Sequence, residues 1–238
     1  MTNDLGTKML VVLGMLVILA LPAIAWAADG KVVVPLNGTN LDGWQTKGDI
    51  ENSTWTVGAA KLDPDNPAKL IAEPAPVGRG DLVTPTGRGQ DIFTVGKFGD
   101  CIVELEVMVS RGSNSGIYMM GEYEIQVLDS FGKEQVGPGD MGGIYGATAP
   151  AVNASKAPGE WQKFVIEFQA PRFKDDEKVA NAKFISITLN GQVIHQNVEM
   201  QRQTPGGVSG REHAKGPLMF QGNHGPVAYR NIRITLTE

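Results

Sequence analysis

Between Glu122 and Leu128 polar and apolar residues alternate, so that Glu122, Glu124 and Gln126 share one face of an extended strand and Tyr123, Ile125 and Val127 the other. The apolar set has the character of a core face. The polar set places two carboxylates side by side, and mutual repulsion raises the pKa of one of them toward the range useful for proton transfer. A solvated sheet face without chemistry is the plain alternative. Glu104 and Glu106 repeat the pattern within 98–110. Should the two stretches neighbour each other in one sheet, their acids could together hold a divalent cation or bind sugar hydroxyls.

The histidines are few: His195, His213 and His224. His224 lies between Gly222 and Gly225, whose backbone freedom lets a turn hold an imidazole over a cleft. His195 falls in a hairpin arm and reads as a surface residue. No zinc-ligand spacing, nucleophile elbow, Walker A loop or dinucleotide fingerprint occurs in context. Ser115 reads as a turn hydroxyl, and Cys101, the single cysteine, as a buried structural thiol within an apolar strand pattern.

Strands must position these groups, because helical periodicity is nearly absent after residue 28. Strands are expected at 31–36, 55–57, 81–84, 98–110, 115–120, 122–128, 161–169, 184–189, 192–198, 217–221 and 227–236. Asn190-Gly191 marks a type I′ hairpin, since both residues tolerate the positive φ that this turn requires. Residues 131–160 and 201–216 are rich in Gly, Pro and polar side chains and read as long loops. Ten to twelve alternating strands bury their apolar faces most economically as two packed sheets. With loops this long, an all-β jelly-roll sandwich fits better than an immunoglobulin-type one.

The chain carries 21 basic and 26 acidic residues, a net charge of −5, without the basic excess of a nucleic-acid binder. With 42% hydrophobic and 20% charged residues it has the balance of a folded globular protein. Lys8, the apolar run 9–21, Pro22 and Ala25-Trp26-Ala27 follow the order of a secretory signal peptide, with cleavage expected after Ala27. The run is shorter than the ~20 residues of a membrane span, which makes an uncleaved anchor the lesser alternative. Residues 28–238 are then expected to form one domain, secreted or periplasmic and without a membrane span. A lone cysteine in an exported chain leaves no internal disulfide.

The order of motifs resembles the bacterial DUF1080 family, the 3-keto-disaccharide hydrolase domain. The matching tracts are LNGTNLDGW (36–44), FGDCIVELEV (98–107), NSGIYMMGEYEIQVLDS (114–130), Gly143-Ile144-Tyr145-Gly146, APAVNASKAPGEWQKFVIEFQAPRF (149–173), LNGQVIHQNVEM (189–200) and GPLMFQGNHGPVAYRNIRI (216–234). The resemblance implies a concanavalin A-like, lectin/glucanase jelly roll with a carbohydrate-facing concave sheet, and activity on glycosides oxidised to a ketone at C3. Two positions depart from the family: Cys101 stands where an aromatic residue is usual, and Gly222-Asn223 where an Asp commonly precedes His224.

A C3 ketone acidifies the C2 proton, so a modest base can start elimination of the C1 substituent, with water adding afterwards. On the matched positions, Glu124 or His224 is the candidate base. Asn114, Glu122, Gln126, Tyr145 and Arg230 are candidate substrate-binding or oxyanion-stabilising groups. Asp129 is a candidate orienting residue or ligand of a divalent cation, the one cofactor considered. The substrate also implies an upstream sugar oxidoreductase. Competing readings are a non-catalytic carbohydrate-binding module, a retaining endoglucanase-like glycosidase using Glu122 and Glu124, and a structural cell-surface protein.

Overall fold

The protein was analysed as a computed structural model that describes residues 30–237; the expected signal segment lies outside them. Six short strands come first: β1 (Val32–Val33), β2 (Trp44–Thr46), β3 (Thr56–Leu62), β4 (Leu70–Glu73), β5 (Asp81–Thr84) and β6 (Ile92–Thr94). Longer ones follow as β7 (Cys101–Val109), β8 (Asn114–Met119), β9 (Tyr123–Leu128) and β10 (Gln162–Gln169). After the small ribbon of β11 (Arg172–Lys174) and β12 (Glu177–Ala180) come β13 (Ala182–Leu189), β14 (Gln192–Met200), β15 (Met219–Phe220) and β16 (Val227–Leu236). A 3-10 turn at Ile50–Asn52 is the only helical element among the described residues. None of their helices is long and apolar enough to cross a membrane.

Apart from the β11-β12 ribbon, the strands form two antiparallel sheets. A nine-stranded sheet runs β14-β13-β10-β7-β16-β5-β3-β4, with β1 added against β16, and a five-stranded sheet runs β2-β6-β15-β8-β9. The core lies between them. Cys101, Val103, Leu105, Val107 and Val109 all face it from β7, the alternation read from the sequence. The sheets meet ring on ring: Phe220 of β15 stacks on Tyr229 of β16 at 3.8 Å between centroids, and Tyr123 of β9 meets Phe168 of β10 at 5.5 Å. A buried hydrogen bond of 2.8 Å between the Ser115 and Tyr229 hydroxyls also joins the layers, so Ser115 is a core tie rather than a turn hydroxyl. With about 1.5–3 kcal/mol from each fully buried aliphatic or aromatic side chain, such a core holds the domain together by burial. Cys101 is part of it, as expected.

Turn chemistry fixes the registers that matter. Asn190 and Gly191 both adopt positive φ (51° and 83°), the hairpin expected between β13 and β14. Met120 and Gly121 do the same between β8 and β9 (54° and 69°), with Glu122 N donating to Met119 O at 3.0 Å. That turn pairs Tyr118 with Glu124 and Gly116 with Gln126.

Several expectations need correction. Glu104 and Glu106 lie in the large sheet and β9 in the small one, so the two acidic runs do not meet. Glu106 pairs with Arg230 and Asn231 instead, at 2.6 and 2.8 Å. His195 is buried, not at the surface: one ring nitrogen lies 2.8 Å from Gly142 O, and burial lowers its pKa. Strands β2, β4, β6, β11 and β12 were not expected. Each has only three or four residues, too few for alternation to register against neighbouring turns.

Candidate active site

Alternation that sends Tyr123, Ile125 and Val127 into the core sends Glu124 and Gln126 to the outer face of the small sheet. The pairings carry that face across all five strands: Gln45, Phe93, Met219, Tyr118 and Glu124 stand in one row. Beside it run Lys47, Asp91, Gln221, Gly116 and Gln126. The adjacent backbone links Lys47 N to Asp91 O at 2.8 Å and Gln221 N to Gly116 O at 3.0 Å, with Gly116 opposite Gln126.

Gly116 lets the Glu124 carboxylate and the Tyr118 ring pack directly over the β8 backbone. A Cβ there would stand 2.4 Å from a Glu124 carboxylate oxygen and 2.8 Å from the Tyr118 ring. Both neighbours are buried, Glu124 at 4% and Tyr118 at 1% exposure. Burial drives the Glu124 carboxyl up to about 7; a hydrogen bond from Tyr118 pulls it back, and the Asp91 charge adds to the rise. The Tyr118 phenol is itself held well above its ordinary range by burial and by Glu124. Its hydroxyl also lies 3.3 Å from Pro205 O. It has one proton to give, and the charged carboxylate is the stronger acceptor.

Asp91, absent from the sequence-based candidates, is the second acid of this surface. It is 7% exposed, burial raises its pKa, and its Oδ1 accepts from Gly222 N at 3.1 Å. Lys47 Nζ lies 4.0 Å from Asp91 Oδ2 and donates to Gly206 O and Gly207 O at 2.8 and 2.7 Å. It thereby ties the 204–210 loop to the sheet. No spacing rule joins Lys47, Asp91 and Glu124, which come from three separated segments. They are linked in turn across the sheet, Lys47 to Asp91 and the Asp91 charge to Glu124.

The remaining candidates sort clearly. Gln126 Nε2 donates to Asn114 Oδ1 at 2.6 Å, so these two amides form one polar edge beside Gly116. His224 is exposed on the turn after β15; its field lowers the Asp91 pKa, and its Nδ1 contacts Asn223 Oδ1. Tyr145 is 44% exposed, and its backbone N–H donates to Glu124 O at 3.1 Å, which places it at the rim.

Three candidates do not belong to this surface. Arg230 lies on the outer side of the large sheet, bonded to Glu106 and 4.0 Å over the Trp161 ring. Glu122 is buried under the 204–210 loop, where it accepts from Ser209 N and Oγ at 2.7 Å and from Gly210 N at 3.1 Å. It is an anchor for that loop and is not available to pair with Glu124, which removes the structural basis of a Glu122/Glu124 glycosidase. Asp129 closes turns by accepting from Gly112 N at 2.9 Å and Phe131 N at 3.4 Å, so it orients backbone. Among the described residues no three His, Cys, Asp or Glu side chains are placed to hold a metal ion.

A β-sandwich with a buried high-pKa acid and an amide edge on the outer face of its smaller sheet has the make-up of a carbohydrate-active domain. The chain belongs to the family of the 3-keto-alpha-glucoside-1,2-lyase-like domain, whose profile matches residues 31–235. It is similar to three crystal structures of candidate glycosyl hydrolases from Parabacteroides distasonis ATCC 8503. The first is 29% identical, with a TM-score of 0.64 over 86% of this chain and 83% of that one. The others are 18% and 21% identical, with TM-scores of 0.57 and 0.52; they cover 87% of this chain and 94% and 99% of their own, and show the shared fold. No curated protein matches the chain.

Proposed function

We propose that the protein cleaves 3-keto-glycosides, with Glu124 as the base that removes the C2 proton. The observation carrying this reading is the buried Glu124 carboxyl, opposite Tyr118 and packed over Gly116 on the outer face of the small sheet, with burial raising its pKa to about 7. Such a base is half ionised at neutral pH, which suits it to a carbon acid activated by an adjacent ketone.

In the proposed reaction the C2 proton passes to Glu124 and the C–H electron pair forms an enediolate, with negative charge on the C3 oxygen. Return of that charge to the ketone forms the C1=C2 double bond and expels the C1 oxygen with its bonding pair. The leaving oxygen takes a proton, either the one now on Glu124 or one from His224. Water adding across the double bond afterwards gives net hydrolysis; release of the unsaturated sugar gives a lyase. The Tyr118 hydroxyl steadies the Glu124 carboxylate before the step, while the Asn114–Gln126 amide edge contacts sugar hydroxyls. Lys47 supplies the positive charge nearest the second acid, Asp91. The reading includes export to the periplasm or beyond, and an oxidoreductase that makes the keto sugar.

The test is incubation with paired glycosides, native and 3-oxidised, following sugar release together with exchange of C2 deuterium. Release from the oxidised member with loss of the C2 label is expected. Release from the native glycoside alone would exclude the keto-dependent route, and tight binding with no turnover of either would favour a binding module.

A further inference from the structure

The outer face of an antiparallel sheet in a two-layer sandwich ordinarily meets water. The outer row of the small sheet is covered instead: Met219 is 0%, Tyr118 1% and Glu124 4% exposed. What lies on Tyr118 is the backbone of Pro205 and Gly206. The phenol oxygen is 3.3 Å from Pro205 O, and a Cβ on Gly206 would stand 3.1 Å from it. The same phenol bonds the Glu124 carboxyl, so the segment crossing its tip also closes the way to the acid. Glu124 offers almost no surface to a solute while that segment stays down.

The segment is fastened unevenly. Its two ends are tied to β9 and the turn before it: Thr204 N and Oγ1 both donate to Glu122 O at 2.9 Å, and Val208 N donates to Gly121 O at 2.8 Å. Ser209 and Gly210 then bond the Glu122 carboxylate. Between these anchors Pro205 and Gly206 are exposed, and Gly206 turns with a φ of +86°, which glycine adopts without strain. The phenol gives its one proton to Glu124, so its contact with Pro205 O holds little. The middle of the segment is held from across the sheet by a single side chain. Lys47 follows β2, the edge opposite β9, and its ammonium donates to Gly206 O and Gly207 O at 2.8 and 2.7 Å. A second partner is already near, because Asp91 Oδ2 lies 4.0 Å from the same ammonium. The lysine therefore has two settings. On the loop carbonyls it holds the segment down, and on Asp91 it lets go with its charge still paired.

We infer that Pro205–Gly207 is a lid over Glu124, hinged at Thr204 and Val208 and latched by Lys47, which passes to Asp91 when the lid lifts. Such closure excludes water from a reacting group and makes opening a step of each turnover. The use made of the opening rests on the reading of Glu124 as the base; the latch does not.

The test is carbodiimide-coupled amine labelling of Glu124 in the full chain, read at residue level by mass spectrometry, with exposed Glu177 as the internal standard. Labelling at about pH 5, well below the Glu124 pKa of about 7, keeps that carboxyl protonated in every variant. A covered group reacts only through the open population, so wild-type Glu124 should label at least about tenfold more slowly than Glu177. Lys47→Met keeps the stem, removes the donors and should speed Glu124 labelling about tenfold. Asp91→Asn removes the second setting and should slow it severalfold; an unchanged or faster rate there overturns the exchange of partners. Amide hydrogen exchange separates a lid from a collapsed loop, because the Thr204 and Val208 amides should stay protected in Lys47→Met. Loss of that protection would make Lys47 a support for the whole loop and overturn the lid. So would labelling of wild-type Glu124 as fast as Glu177, or equal rates in the wild type and Lys47→Met. Labelling that responds as expected in a protein that turns over no 3-keto glycoside retains the lid and rejects the proposed reaction. Turnover with labelling indifferent to Lys47 does the reverse.

Discussion

Tyr118 and Glu124 stand directly opposite each other on β8 and β9, and the phenol donates its hydrogen bond to a carboxylate that burial holds near pH 7. Two effects of opposite sign act on one acid. Desolvation favours the protonated form, while the phenol favours the ionised one. The balance keeps a buried carboxyl usable as a base at neutral pH, whereas burial alone would leave a smaller fraction of it ionised there. Replacing Tyr118 by Phe removes only the stabilising bond. The acidic limb of the kcat/KM profile for a 3-keto glycoside should then move upward by about one pH unit, with a severalfold loss of rate at pH 7 and little loss at pH 9. A limb that stays in place would detach Tyr118 from the ionisation of Glu124.

Glu124→Gln keeps the shape of the side chain and removes the base. General-base assistance is commonly worth roughly 10²–10⁴ in rate, so a kcat loss in that range is expected, with loss of C2 deuterium exchange. In the wild type the same carboxyl makes kcat/KM climb as pH rises through about 7, because only the ionised form accepts a proton. Exchange at the wild-type rate in the variant would place the base elsewhere, with His224 the next to test.

Much of this architecture was legible in the sequence because long strands announce themselves. β7, β9 and β10 alternate strictly enough that period alone fixes which residues face the core, whereas register shifts break the alternation in β13, β14 and β16. The same rule placed Glu124 and Gln126 on one surface. It could not separate Glu122 from them, although a seven-residue loop folded over Glu122 turns it from a ligand-facing acid into an anchor. Nor could it reach Asp91 or Lys47, which enter the site through β6 and the end of β2 because the strand order sets those strands across from β9. Arg230 failed for the complementary reason. Its strand was identified correctly, but β16 lies in the other sheet, and the residue faces Glu106 and Trp161 there.

Gly116 has no room for a side chain. A methyl group would meet a Glu124 oxygen at 2.4 Å and the Tyr118 ring at 2.8 Å. The carboxylate end can swing away, but only by leaving the position from which it acts. Gly116→Ala should therefore lower kcat/KM by more than tenfold while costing about 1–3 kcal/mol of stability, the usual range for overpacking, read from urea unfolding beside the rate. Full activity in a well-folded variant would place the reacting sugar away from this part of the sheet.

Glu122 holds its loop through three hydrogen bonds, two of them from Ser209 and one from Gly210. Glu122→Ala leaves those donors without their acceptor and opens a void beneath the loop. A loss of about 2–4 kcal/mol is expected, since bonds to a buried charge count for more than neutral ones. Cleavage by protease should begin within 204–210. The effect on KM should exceed that on kcat if the loop only borders the substrate, whereas a kcat loss matching that of Glu124→Gln would return Glu122 to the chemistry.

The raised pKa of Glu124 also carries a stability consequence with a definite sign. Between its ordinary value of 4.5 and about 7 the folded protein binds a proton that the unfolded chain has released. Folding stability therefore declines as pH rises through that window, by roughly 3 kcal/mol for this one group, and stays at the lower value above it. Glu124→Gln never ionises and escapes the decline. Its stability should match the wild type near pH 4.5 and exceed it by about 2–3 kcal/mol at pH 8, measured as the difference in urea midpoints multiplied by a shared m-value. A variant that is inactive at every pH yet more stable than its parent only under alkaline conditions is the combined signature of a buried carboxyl kept for reactivity at the expense of folding. Equal stabilities at both pH values would mean that Glu124 titrates near 4.5, too acidic to serve as the proposed base at neutral pH.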